Sequence, residues 1–337
     1  MPTFHLIPTL DYELFGDGSG CVDKCLTEPT ARCRGIVERH GGQLTLFVEA
    51  LELACIRDAM PADFDLVHRQ LSDMAGQHEL ELHLHPQWMS AKKHAAGWDL
   101  DFDLWRIGDL PVADQAACLD RGIKFLTSYR QPKVFRAGAW AIQPGHAMTS
   151  LLAERGIGID SSVAPGAWNP ARGDWFDFRA AASLPYWKAG EDVCCEDDAG
   201  SVIEVPIATH QVGPVAHGRA LVGSKSEPAF PPGCDGTYHG PNDRVQSLRG
   251  KVGKVLNLGL VMLDFSTLPA EMLIASTRAC MSRFADESAD VPIVAIGHNK
   301  NFSRRSEAHL EAWLDWAVAE PDLELSSFSR WRAACGF

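Results

Sequence analysis

The chain has 337 residues, 46% hydrophobic and 22% charged, a globular composition with ample material for a large core. Its formal net charge is −13 and no run of Lys or Arg stands out, which argues against nucleic acid or an anionic membrane as the main partner. The opening MPTFHLIPTL has neither a basic start nor a long apolar region, so no secretory signal or transmembrane helix is expected and the cytoplasm is the default address.

In chain order, short apolar runs at 4–10, 44–48, 80–85, 134–137, 158–161, 202–205, 258–265 and 291–296 predict strands. Amphipathic stretches at 28–40, 63–75, 113–128, 145–155, 269–287 and 306–319 predict helices; the first has Pro29 in its first turn and Gly41-Gly42 at its end. This alternation predicts a mostly parallel sheet, open or closed into a barrel. Between 165 and 250 the chain is rich in Gly, Pro, Trp and Asp and holds one clear strand. A structureless loop of that size is improbable. The stretch reads as an insertion of irregular or hairpin structure over one end of the sheet, inside a single domain spanning 1–337. The ten cysteines form no pair of CxxC motifs and read as mostly reduced thiols, several of them core fillers.

In parallel α/β architectures reactive side chains gather at the carboxyl ends of strands, and here several strand ends carry them. The first ends in Asp11-Tyr12-Glu13, two carboxylates on one face, which describes a site or an ordinary cap. In HELELHLHPQW (residues 78–88), Leu80, Leu82 and Leu84 alternate with Glu81, His83 and His85. The polar face of that strand is either solvated or aims two imidazoles, about 7 Å apart along the backbone, at one metal ion. His78 reads as a turn residue. The next strand leads into Arg136-Ala137-Gly138-Ala139-Trp140, a charged anchor beside a flat apolar wall; the one after it ends in Asp160-Ser161-Ser162; and the last delivers His298, with Lys300 following. Each has a bland structural reading, but the ordered set is what a hydrolytic metal site needs.

The ordered set resembles the polysaccharide deacetylase superfamily, with the NodB-homology fold of carbohydrate esterase family 4. TLDYE resembles its acidic motif, QHELELHLHP its histidine motif, FRAGAW its arginine strand end, IDSSVAPG its Asp-Ser-Ser segment and IGHNK its final histidine. Two departures stand out: Tyr12 separates the acidic pair, and the histidines are spaced by two instead of four. These variations resemble a cytoplasmic subgroup found beside surface-polysaccharide genes.

The resemblance implies a distorted (β/α) barrel that removes an N-acyl group from a sugar, using a divalent metal. Zinc suits the ligands, and iron, cobalt or nickel fit too. By the same resemblance Asp11 is the base, Arg136 orients it, His298 protonates the leaving amine, and Glu13 or Asp11 joins His83 and His85 on the metal. Trp140 walls the acyl pocket, and Trp88 and Asp160 are taken as substrate contacts. Trp88, Trp98, Trp105, Trp168, Trp175 and Trp187 fall in loops, where aromatic faces stack on sugars or plug the loops. The expected partner is a small-molecule or lipid-linked N-acylated sugar, such as a nucleotide sugar. Two alternatives remain: a hydrolase of non-sugar amides on the same fold, and a degenerate protein that binds a sugar or a partner without catalysis.

Overall fold

The computed structural model describes residues 2–170, 175–213 and 259–336. Its centre is a nine-stranded sheet. The strands are β1 (Phe4–Tyr12), β2 (Thr45–Glu49), β3 (Glu79–Leu84), β4 (Val134–Ala137), β5 (Ile159–Asp160), β6 (Trp187–Ala189), β7 (Val202–Glu204), β8 (Val291–His298) and β9 (Leu323–Leu325). In space they run β6-β7-β5-β4-β3-β2-β1-β8, and β9 lies against the start of β1. All pairs are parallel except β6 with β7. Parallel bridges from Ile207 to Val294 and from Asp264 to Ile296 link later segments to β8, so the sheet curls into a distorted (β/α) barrel.

Helices α1 (Glu28–Arg39), α2 (Ala50–Ala59), α3 (Pro61–Met74), α4 (Val112–Leu126), α5 (Met148–Glu154), α6 (Ala270–Arg283) and α7 (Arg304–Ala317) connect the strands, and α8 (Phe328–Cys335) follows β9. The predicted helices match α1 and α3 to α7 to within a few residues. Short α2 was not anticipated, because Glu49 ends β2 and also caps α2 through Leu51 N and Glu52 N, leaving no loop to mark the boundary. Pro8 sits inside β1 without an N–H to give. It falls where that edge of β1 changes partner, from β9 (through Leu6) to β2 (from Thr9).

The two-residue period sorts each strand into an outer and an inner row. Outward residues such as Leu6, Leu46, Leu80, Leu82 and Leu84 join the large core beneath the helices. Inward, Ile7, Phe47, Val134, Ile159, Val205, Val294, Phe328 and Trp331 form a second cluster inside the barrel. Phe328 and Trp331 of α8 close the barrel floor, with Phe328 edge-on to Phe47 at 6.1 Å. Above this layer the inner row turns polar. The solvated alternative for the polar face of HELELHLHP is therefore overturned: Glu79, Glu81, His83 and His85 are all buried. Glu79 accepts from Thr45 Oγ1 and from the backbone of Phe328 and Ser329, tying β3 to α8.

Glu81 accepts from the backbone N–H groups of Lys133 and Val134, at 2.6 and 2.7 Å. Burial, and secondarily Glu79, pushes its carboxyl up to about 8. A carboxyl raised in the folded state contributes stability that is complete below its unfolded pKa, near 4.3, and is lost as pH rises through about 8. Glu81→Gln keeps an acceptor for both N–H groups and has no charge to bury. Between pH 5 and 8 the parent should therefore lose on the order of a few kcal/mol that the variant keeps. Melting curves across that range would contradict this if the two proteins fell in parallel.

Within the expected insertion, 171–174 and 214–250 lie outside the described residues. The described part is more regular than expected. Trp168–Asn169 pairs with Phe176–Asp177, β6 and β7 join the main sheet, and Thr209–Gln211 pairs with Leu260–Met262, the latter within the predicted 258–265 strand. Cys33, Cys55, Cys118, Cys194 and Cys280 are buried free thiols, as core fillers should be. Among the described residues, no helix is long and apolar enough to cross a membrane.

Candidate metal centre and active site

The carboxyl ends of β1, β3 and β8 and the turn after β4 open into a cavity of about 440 Å³. Asp11, Glu13, His83, His85, Trp105, Trp140, His298 and Lys300 are among its lining residues. Six of these, Asp11, Glu13, His83, His85, Trp140 and His298, were candidates from the strand-end pattern, and they converge because neighbouring parallel strands end at one level.

Glu13, His83 and His85 bring one ligand atom each within 4.8 Å of one another, and so do Asp11, Glu13 and His298. Glu13 Oε2 lies 3.0 Å from His85 Nε2 and 3.8 Å from His83 Nε2. His83 Nδ1 lies 2.9 Å from the Arg136 carbonyl, to which it can only donate, so Nε2 carries the lone pair. Among the described residues that buried Nε2 has no hydrogen-bond partner, and neither has His85 Nδ1. Burial lowers the His83 pKa to about 4, against the pull of Asp11 and Glu13, so the ring is neutral, the form that binds metal. A neutral imidazole with an orphaned, buried nitrogen facing a carboxylate oxygen fits a divalent ion. Of the two carboxylates, Glu13 is the one within 4 Å of both β3 histidines.

Asp11 is engaged elsewhere. Its Oδ1 accepts from Arg136 Nη1 at 2.6 Å, and its Oδ2 lies 3.6 Å from His298 Nε2. Burial alone raises its carboxyl, but Arg136, His83 and His298 outweigh this and hold it below the usual value. Arg136 is fully buried over the Phe47 ring, 3.9 Å from its centroid, and donates also to Thr9 Oγ1 and to the Ser161 carbonyl. It does not line the cavity and touches it through Asp11.

The turn after β4 is strained. Ala139 and Trp140 have φ of 51° and 55°, a left-handed conformation costing each about 1–3 kcal/mol. It sets the Trp140 ring on the cavity wall, edge-on to His298 at 6.4 Å and to Phe176 at 5.8 Å. A Cβ on Gly138 would fall 2.6 Å from the His85 ring, so glycine lets the turn close over that histidine.

Two expected substrate contacts are corrected. Asp160 is fully buried, does not line the cavity and accepts from Ser162 Oγ at 2.6 Å. Burial pushes its carboxyl up to about 6, and burial together with Asp160 pushes the Glu204 carboxyl well up. A polar residue at a strand end reads alike in sequence whether it faces the cavity or the layer below. Trp88 is 1% exposed and packs edge-on against Trp98 at 5.1 Å, under Gly18. Of the six loop tryptophans only Trp105 lines the cavity, where it lies against His85. His78 bonds Leu44 N and Glu38, away from the site, as a turn residue would.

Three residues that hold Glu13, Leu14 and His85 in place had no assigned role. Glu49 accepts from His85 N at 2.6 Å while capping α2. Glu52 receives Leu14 N on both oxygens, fixing the residue after Glu13. Lys300 donates to Glu13 Oε1 at 2.7 Å. Two acids three apart just after a strand were the available signal for the first two.

No family model matches the sequence, and no curated protein matches it. Solved structures do match its fold. A protein from Mycobacterium smegmatis assigned as a polysaccharide deacetylase aligns at TM-score 0.51 and 15% identity, over 99% of this chain and 90% of that one. A protein from Parabacteroides distasonis assigned as a glycoside hydrolase/deacetylase aligns at 0.54 and 11%, over 98% and 71%. PuuE allantoinase aligns at 0.50 and 11%, over 100% and 92%. At these identities the likeness establishes the fold: the chain is a distorted (β/α) barrel of the type shared by the polysaccharide deacetylases.

Proposed function

We propose that the protein is a metal-dependent hydrolase that removes an N-acyl group, acetyl in the simplest case, from a sugar or sugar-containing intermediate of surface polysaccharide metabolism. One observation carries the reading: Glu13, His83 and His85 converge on the wall of a cavity beside Asp11, a carboxylate held between Arg136 and His298.

Glu13, His83 and His85 would hold a divalent ion, which when bound would supply Lewis-acid polarisation for attack of water on the acyl group. Asp11 takes a proton from that water as its oxygen bonds the acyl carbon. Arg136 keeps the base ionised and aimed. His298 then donates its proton to the amide nitrogen as the C–N bond breaks, releasing a carboxylate and a free amine. Trp105, Trp140 and Phe176 offer apolar walls for the acyl group and the sugar ring.

The test is elemental analysis of the parent beside a His83→Ala/His85→Ala variant, followed by an assay for amine release from N-acetylated monosaccharides and nucleotide sugars. Near-stoichiometric transition metal in the parent, lost in a variant that stays folded, is the expected result. A parent that holds no metal after incubation with zinc, cobalt or nickel would overturn the hydrolase reading and favour sugar binding without catalysis. Turnover of cyclic or linear non-sugar amides alone would move the substrate to the chemistry named for the allantoinase neighbour.

A further inference from the structure

We propose that Lys300 is a positioning residue that confines Glu13 to a single metal-facing oxygen; this rests on the Glu13–His83–His85 centre proposed above.

β8 runs out into His298-Asn299-Lys300, and these residues grip both carboxylates of the site. His298 faces Asp11. Asn299 Oδ1 accepts from Glu13 N at 3.3 Å, while Asn299 Nδ2 donates to the Cys25 carbonyl at 2.8 Å, which anchors the amide. Lys300 Nζ donates to Glu13 Oε1 at 2.7 Å and to the Leu14 carbonyl at 3.2 Å. With the Glu13 backbone held by Asn299 and the next residue by Glu52, the remaining freedom is in the Glu13 side chain. Lys300 holds its Oε1, while His85 Nε2 lies 3.0 Å from its Oε2.

The two oxygens of Glu13 thus have different tasks. Oε1 belongs to Lys300, and Oε2 faces both imidazoles. A glutamate free of the lysine can offer both oxygens to one ion. It would then occupy a position that water or the acyl oxygen needs, since a catalytic centre depends on open positions. The lysine also leaves the centre one charge less negative than its two carboxylates alone would make it. The pair is 5% and 11% exposed, so water competes little for either partner.

The experiment loads the parent, Lys300→Met and Lys300→Arg with cobalt(II) and reads visible absorption, which weakens as coordination number rises, alongside steady-state kinetics on an N-acetylated sugar. In Lys300→Met, bound cobalt should persist with weaker absorption, and kcat should fall at least tenfold with little change in KM. Lys300→Arg, which keeps the charged donor, should recover much of both. If Lys300→Met does not fold, Lys300→Gln gives the same comparison with a neutral donor. A Met or Gln variant with the parent's cobalt spectrum and kcat overturns the assignment and leaves Lys300 an ordinary ion-pair partner. A parent that takes up no cobalt instead removes the centre on which the assignment stands.

Discussion

Asp11→Asn should lower turnover of an N-acyl sugar by about 10²–10⁴-fold, the usual contribution of a general base, while metal content stays at the parent's level. Asparagine matches aspartate in shape, and its carbonyl oxygen can still accept from Arg136, but it cannot take a proton from water. In the proposed centre Glu13, His83 and His85 hold the metal without Asp11, so the two readouts should separate. Equal turnover in variant and parent would remove Asp11 from the mechanism. A variant that lost its metal would instead make Asp11 a ligand, as the overlapping Asp11–Glu13–His298 group would allow.

The second large effect is on stability. Arg136→Met should destabilise the fold by about 3–5 kcal/mol, because it leaves the Asp11 charge buried without its partner. Both side chains are at most 2% exposed, so water cannot replace the guanidinium. The same change removes donors to Thr9 and Ser161 and the cation that sits over Phe47. The double variant Asp11→Asn/Arg136→Met should regain part of the loss, since it buries no stranded charge. Denaturant unfolding of the two single variants and the double variant measures this coupling. Additive losses would show that Arg136 supports the barrel independently of Asp11.

Much of this site was legible in the sequence because neighbouring parallel strands end together. Once 4–10, 80–85, 134–137 and 291–296 are read as strands, Asp11, His83, Arg136 and His298 fall at one level of the barrel. What the pattern could not supply was depth. Asp160 ends one strand and Trp140 follows another, yet one is fully buried off the cavity wall and the other lines it, through a strained turn that no periodicity marks. Trp88 and Trp105 are both loop tryptophans, and packing against Trp98 and Gly18 alone removes the first from the cavity. Glu49 was hidden for another reason: strand, cap and ligand support coincide in one residue. The departures from the resembled family also find a physical reading. Tyr12 points away from the interior to bond Gln70, which leaves Asp11 and Glu13 on one face, and His83 and His85 share the inner row of one strand.

The placement of β1 also dictates an order of assembly. The strand that carries Asp11 and Glu13 is the first in the chain, but it lies between β2 and β8, with β9 against its start. Its partners on one side are thus close to three hundred residues away in sequence. As the chain leaves the ribosome, β1 can pair with β2 early, whereas β8 emerges close to three hundred residues later. Asp11 and Glu13 wait over that interval for the His298 and Lys300 that hold them. Such distant pairing is the slow part of folding, so the site is complete only once β8 has closed on β1.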